Sequence, residues 1–297
     1  MPSDPDKRRR LSQVARLALL SSLLAAGAHA ALAAGERLAA TGGLMEFEGA
    51  AGGGLTPWAL IGGLETDRGI GLATGCTAIR PQHFALDACG LAAGIHDRLE
   101  LSYARQRFSL DDVAPGQDIR LDVIGAKWRL SGDAIYDQDR DWPQLAAGVQ
   151  YKRNRDFGFV PALVGARHAS DTDFYISASK LYLDGPLHRS WIANATLRAT
   201  RANQFGILGF GSARDDSRHL ELEASLGVFL ADGLAFGAEF RQRPNLLASF
   251  REQDAHDLFL AWFPGKHLSA TLAYVALGNI ATHRDQDAAY LSLQGAF

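Results

Sequence analysis

Downstream of residue 33 the sequence has no apolar run approaching the roughly 18 residues that a membrane-spanning helix needs. Any crossing of a membrane therefore falls to strands closed into a barrel. Cysteine is nearly absent, with only Cys76 and Cys89, and the nine histidines are scattered. Two thiols without clustered histidines make no zinc-type ligand set, and no metal or other cofactor is expected. Positive charge is short as well: 30 Lys and Arg stand against 33 Asp and Glu, a net charge of −3. That balance leaves no basic footprint for nucleic acid. There is no Gly-X-Ser-X-Gly elbow and no His-Glu-X-X-His pair, and the glycine-rich stretch Gly49 to Gly54 lacks the Lys-Ser/Thr of a phosphate loop. Enzymatic activity is not expected from such a sequence.

What is present begins with an export signal. Lys7, Arg8, Arg9 and Arg10 are followed by a largely apolar core from Leu17 to Ala26, and Ala28-His29-Ala30 or Ala31-Leu32-Ala33 offers a cleavage site. Residues 1–33 are expected to be a cleaved signal peptide; the shortness of the apolar core argues against the alternative, a membrane anchor. Their loss removes five basic and two acidic side chains and takes the net charge to −6. The composition, 47% hydrophobic and 21% charged, is too apolar for disorder.

Residues 55–297 alternate with period two between breaks at Gly, Pro, Asp and Asn. From Ser217 to Leu230, Leu220, Leu222, Ala224, Leu226, Val228 and Leu230 share one face, opposite His219, Glu221, Glu223, Ser225 and Gly227. The segments beginning at Leu145, Trp191, Gly233 and Leu268 repeat the design, as does Asp287 to Phe297, which ends on its aromatic residue. Reading back from Phe297, the links Pro264 to Lys266, Ala231 to Gly233 and Gly185 to Arg189 are short. Those at 278–285, 244–256, 202–216 and 155–170 are long. Outer-membrane barrels have this rhythm of short periplasmic turns and long external loops. Ser131 to Pro143 breaks it, being long on the short-turn side. Trp and Tyr residues toward strand ends, such as Trp128, Tyr151, Trp262 and Tyr274, suit an interfacial girdle.

These features predict an all-β protein, a transmembrane antiparallel β-barrel of about 12 to 14 strands in a bacterial outer membrane. Its expected partners are outer-membrane lipid and, through the terminal Phe297, the barrel-insertion machinery, and one chain is expected to form one barrel. The glycine-rich segment 34–54 is either a first strand or a plug. Because Trp58 to Leu64 reads as wall, the larger strand count is preferred. Cys76 and Cys89 flank a turn at Arg80 to His83 and fall opposite one another, so either a disulfide or two small wall residues fit.

Several strings carry a family resemblance: Glu48-Gly49-Ala50-Ala51-Gly52-Gly53-Gly54-Leu55 with Pro57-Trp58-Ala59, Glu100-Leu101-Ser102 with Ala104-Arg105-Gln106-Arg107-Phe108, and Gly132 to Arg140. Leu208-Gly209-Phe210-Gly211 and Ala261-Trp262-Phe263-Pro264 continue it. On these the chain resembles a family of proteobacterial outer-membrane proteins classified as a domain of unknown function. The resemblance implies a barrel and no reaction. Gly295 departs from the bulky residue that a barrel's terminal signal commonly carries, and the cysteine pair looks peculiar to this member.

The polar face nominates Arg98, Glu100, Lys152, Asn194, Arg198, Glu221, Glu223, Glu239 and Arg241 as pore lining, of mixed sign. The expected role is a passive channel or transporter for a small or moderately hydrophobic solute. The alternatives are a blocked structural or adhesive barrel and a periplasmic lipocalin-like binder. Ala202 to Gly211 is oddly apolar for an external loop, so it folds inward as a constriction, receives a lipid-like compound, or packs on the rim. Asp137, Asp139 and Asp141 lack the oxygen count of a calcium site and read as a solvated turn.

Overall fold

The computed structural model describes residues 44–64, 67–110 and 114–297. The expected signal peptide lies outside the described residues. Twelve strands alternate direction around a closed wall. In chain order they are β3 (Ile70–Pro81), β4 (Ala85–Ile95), β5 (Leu99–Ser109), β6 (Asp118–Ser131), β7 (Gln144–Asn154) and β9 (Ser170–Gly185), then β10 (Arg189–Thr200), β12 (His219–Ala231), β13 (Leu234–Arg241), β14 (Ala255–Gly265), β15 (Leu268–Ala276) and β16 (Asp287–Ala296). The wall closes by pairing β16 with β3, from Ala288 opposite Pro81 to Ala296 opposite Ala73. Two short pairs lie outside the wall: β1 (Leu44–Met45) with β2 (Ala51–Gly52), and β8 (Ala166–His168) with β11 (Phe210–Ser212).

Strand alternation sorts the side chains into two environments. Leu72, Leu101, Ile124, Leu197, Leu226, Leu258, Leu272 and Leu291 point outward and stay exposed, Ile124 at 56% and Leu272 at 59%. Thr77, Gln106, Gln150, Ser177, Thr196, Ser225 and Ser292 point inward and are buried. An apolar outside around a polar inside is the inverse of a soluble barrel and the pattern of one set in lipid. No described helix is long and apolar enough to cross a membrane.

One end of the barrel, here the near end, carries the entry to β3 and the C-terminus. Its links after β4, β9, β12 and β14 are tight, whereas at the far end the links after β7, β10, β13 and β15 are long. The long near-end link after β6 folds under the barrel. Leu181 donates its amide to the Ala134 carbonyl at 2.8 Å, and Ala134 and Ile135 pack with Trp58, Leu60 and Ile192. The break in rhythm is thus a floor for the lumen.

Two sequence expectations need correction. The wall has 12 strands and begins at Ile70, so the larger strand count fails. Residues 44–64 are buried throughout and lie inside the lumen; Leu55 to Leu64 belong to this plug and not to the wall. Burial against an inner face rewards apolar residues as much as lipid does, which is why Trp58 to Leu64 imitates a strand.

Cys76 and Cys89 are directly opposite in the β3–β4 pair and joined by a disulfide, with Cα atoms 4.1 Å apart. Alkylation of the folded protein before reduction should label neither thiol, and labelling of both would remove the bridge. At the C-terminus the Phe297 amide donates to Leu72 at 2.7 Å, and the Phe297 ring stacks on His267 with centroids 5.9 Å apart. A Cβ on Gly295 would meet that ring at 3.2 Å, so the small residue makes room for the terminal aromatic.

Candidate functional site

The site is the contact between the plug and the inner wall. A segment with so little regular structure can sit at membrane depth only if protein satisfies its backbone. Wall side chains do so along its length. Gln294 holds both backbone groups of Met45, at 2.7 and 3.1 Å. Glu100 accepts from the amides of Ala51 and Gly62 at 3.1 and 2.8 Å, and Lys127 donates to the Ala51 carbonyl at 2.9 Å. Glu239 accepts from the amides of Gly54 and Leu55, at 2.6 and 2.8 Å, and from the Thr56 hydroxyl at 2.8 Å. Asn194 and Thr196 both donate to the Pro57 carbonyl, Ser179 accepts from the Ala59 amide, and Gln144 donates to the Ala59 carbonyl.

At the centre, two plug carboxylates enter a charged cluster. Glu48 pairs with Lys152, with Arg241 at 2.8 Å and with Arg198 at 3.9 Å. Lys152 also reaches Asp173 at 2.8 Å, and Arg198 and Arg241 share Glu223 at 2.5 and 3.2 Å. Glu46 accepts from Gln150 at 2.6 Å. Every one of these side chains is buried. Three cations therefore hold four carboxylates away from water.

Of the nine nominated lining residues, Glu100, Lys152, Asn194, Arg198, Glu223, Glu239 and Arg241 converge on the plug. Glu221 shares their inner face but sits near the far rim, partly exposed and outside the cluster. Arg98 is a correction: it lies exposed in the near-end turn between β4 and β5, because left-handed His96 and Asp97 end the strand before the inward phase resumes at Glu100. The sequence reading missed Glu46, Glu48, Lys127, Gln150 and Asp173. A pair of glutamates spaced two apart in a glycine-rich apolar stretch was the signal available for the first two.

The far end is closed by loops. Asn203–Gly206 turns inward, with Gln204 and Phe205 at positive φ, and buries Phe205, Ile207, Leu208 and Phe210. Phe205 meets Phe47 of the plug edge to face at 5.3 Å, under the guanidinium groups of Arg241 and Arg243. Of the placements the sequence left open, the loop takes the inward one, packed on the plug and the inner wall. Between plug, loop and the far ends of β3 to β5 lies an apolar cavity of about 30 Å³, lined by Phe47, Leu55, Ile79, Phe108, Phe205 and Leu208 among others.

A second loop carries Glu252, which accepts the Gln204 amide at 3.0 Å while Arg243 holds the Gln204 side chain. Burial pushes the Glu252 carboxyl up to about 7 despite Arg243. The folded loop thus binds this proton more tightly than the unfolded chain does. Its contribution to loop order is complete below the unfolded value near 4.5 and is lost as pH rises through 7, on the order of 3 kcal/mol at most. Protease cutting within 203–210 should rise between pH 5 and pH 8, and Glu252→Gln should flatten the profile.

Ser217 and Asp215 of the loop before β12 adjoin His219, the first residue of that strand, but the three do not form a catalytic relay. His219 Nε2 faces both the Ser217 hydroxyl at 3.2 Å and Asp215 at 2.9 Å, so one ring nitrogen serves both neighbours. No metal-ligating cluster occurs among the described residues.

A closed twelve-stranded wall, apolar outside, with a folded chain segment in its lumen defines an outer-membrane-type β-barrel. Within that class the chain belongs to the family of proteins of unknown function DUF3034, whose model matches residues 41–294. Among solved structures it is similar to a KdgM porin in complex with disordered oligogalacturonate, at 8% identity and a TM-score of 0.50 over 76% of this chain and 99% of that one. It is also similar to the NanC porin, at 10% identity and 0.48 over 76% and 98%. The outer membrane phospholipase A from Escherichia coli matches at 8% and 0.39 over 76% and 90%. At these identities the likeness concerns the fold. No curated protein matches by sequence.

Proposed function

We propose that this protein is an outer-membrane channel held shut by its own N-terminal segment, and that it passes a small, moderately hydrophobic solute when residues 44–64 withdraw. The carrying observation is the chemistry of the seal. A plug meant only to fill a barrel is more stable with apolar packing than with buried ion pairs, whose desolvation offsets most of their attraction. Here hydrogen bonds and charges line the contact, so when the plug leaves, both surfaces are wettable and the lumen fills with water. The apolar lining beneath Phe205 and Leu208, around a cavity of about one water's volume, favours a partly hydrophobic solute once the plug has left. With no free strand edge in the wall, one chain makes one pore.

The test is planar-bilayer conductance. Stepwise currents from the wild-type protein, silenced by an Ala59→Cys/Ser179→Cys tether between plug and β9 and restored by reductant, are the expected result. Correctly folded protein that stays silent under all voltages and reductant conditions would make it a blocked envelope barrel instead. Outer-membrane fractionation with boiling-dependent gel migration tests the location itself.

A further inference from the structure

The outer face at the far ends of β3 to β7 concentrates arginine on neighbouring strands. Arg80, Arg105, Arg107, Arg120, Arg153 and Arg155 all point outward there, against Asp87, Asp118, Asp122 and Asp156 among the described residues. This is an excess of two positive charges on a protein whose net charge is negative. At corresponding heights on β12 to β15 the outward residues are Leu220, Phe240, His256 and Ala276.

The arginines are positioned and still available. Arg107 bonds Asp118 at 2.7 Å, Arg120 bonds Asp156 at 2.7 and 2.9 Å, and Asp122 is shared by Arg105 and Arg155 at 2.8 and 2.6 Å. Each of these guanidinium side chains remains 44–59% exposed, with donors left over. Arg107 stands directly opposite Arg120, and the Arg155 amide donates to the Arg120 carbonyl, so three adjacent strands bring like charges side by side. The aspartates offset only part of that repulsion, because the face keeps its excess of two positive charges, and an anion lying across it would offset the rest. Immediately below, Tyr103, Ile124 and Tyr151 face outward, where aromatic and apolar residues mark the edge of the hydrocarbon. The row therefore sits at headgroup height.

We propose that this face binds the phosphates of a phosphorylated glycolipid of the outer leaflet, with the planar guanidinium forks of Arg107, Arg120 and Arg153 as the main ligands. The proposal rests on the membrane reading of the barrel and is independent of whether the lumen conducts. The experiment is titration of the detergent-solubilised full chain with purified lipid A, followed by native mass spectrometry. The expected result is saturable binding that weakens about ten-fold or more when lipid A is dephosphorylated, and by a similar factor in Arg107→Gln/Arg120→Gln/Arg153→Gln. Inorganic phosphate at millimolar concentration should not displace the lipid. Equal binding of dephosphorylated lipid, full displacement by inorganic phosphate, or an unchanged affinity in the triple variant each overturns it. The dephosphorylated-lipid arm needs no variant, and boiling-dependent gel migration verifies that the variant is folded. Loss of that migration in the wild type would remove the membrane reading and with it this proposal, whereas silent conductance leaves it standing.

Discussion

Lys152→Met should destabilise the plugged state by about 3–5 kcal/mol, the usual cost of stripping one partner from a buried ion pair. Lys152 stands between Glu48 of the plug and Asp173 of the wall, and all three side chains are shielded from water. Without the ammonium, two buried carboxylates face each other with only Arg198 and Arg241 nearby, and those guanidinium groups already serve Glu223. Methionine is only one heavy atom shorter than lysine, so the loss is mainly electrostatic and only slightly a cavity. The measurement is the urea midpoint of the boiling-dependent gel shift, paired with protease access to 44–64. Glu48→Met alone should also destabilise, because Lys152 and Arg241 lose the carboxylate they share. The double variant Glu48→Met/Lys152→Met should cost less than the sum of the two, since it removes both ends of one pair. Additive costs would show that Lys152 acts through the wall alone and does not hold the plug.

The wall was legible in the sequence because a lipid-facing strand obeys a strict rule. Leu222, Leu226 and Leu230 against Glu223, Ser225 and Gly227 admit only one assignment of faces, and the β12 side chains follow it. The phase of that alternation also placed Glu100, Lys152, Arg198, Glu239 and Arg241 inside. Periodicity could not say what fills the inside. Trp58, Leu60 and Ile61 are buried against a floor and a wall instead of lipid, and hydropathy cannot distinguish the two kinds of burial. Pro57, with glycines at 52–54 and 62–63, was the contrary sign, since wall strands seldom carry such a density of breakers. The meeting of Glu48 with Lys152 and Arg241 spans 104 and 193 positions. No local pattern records a contact of that range. Arg98 failed for a local reason: the alternation was carried one residue past its stop into a turn.

Gly52→Val should convert a barrel that opens only intermittently into one that conducts persistently. A Cβ at Gly52 would lie 2.2 Å from the Thr56 carbonyl oxygen and 2.8 Å from the Pro57 Cα, both backbone atoms of the plug itself, so no side-chain rotation relieves the clash. The turn from 52 to 57 presents Gly54, Leu55 and Thr56 to Glu239, and a β-branched residue breaks that turn and releases those bonds together. The wall does not depend on it, because its ladders run from Ile70 onward. Boiling-dependent migration should persist while the intermittent single-channel steps of the wild type become sustained currents. Gly265→Val is the matched control, with nothing within 4 Å of its added Cβ, and should change neither. The opened pore exposes Glu100, Asp173, Glu223, Glu239 and Asp257 against Lys127, Lys152, Arg198 and Arg241 on its central wall. Charge so nearly balanced makes a wet interior with at most a weak preference for cations. Reversal potentials under a salt gradient should therefore stay close to zero. A strongly selective current would place the permeation path elsewhere, and persistent silence with the plug demonstrably accessible to protease would leave the loop around Phe205 as the barrier that closes the lumen.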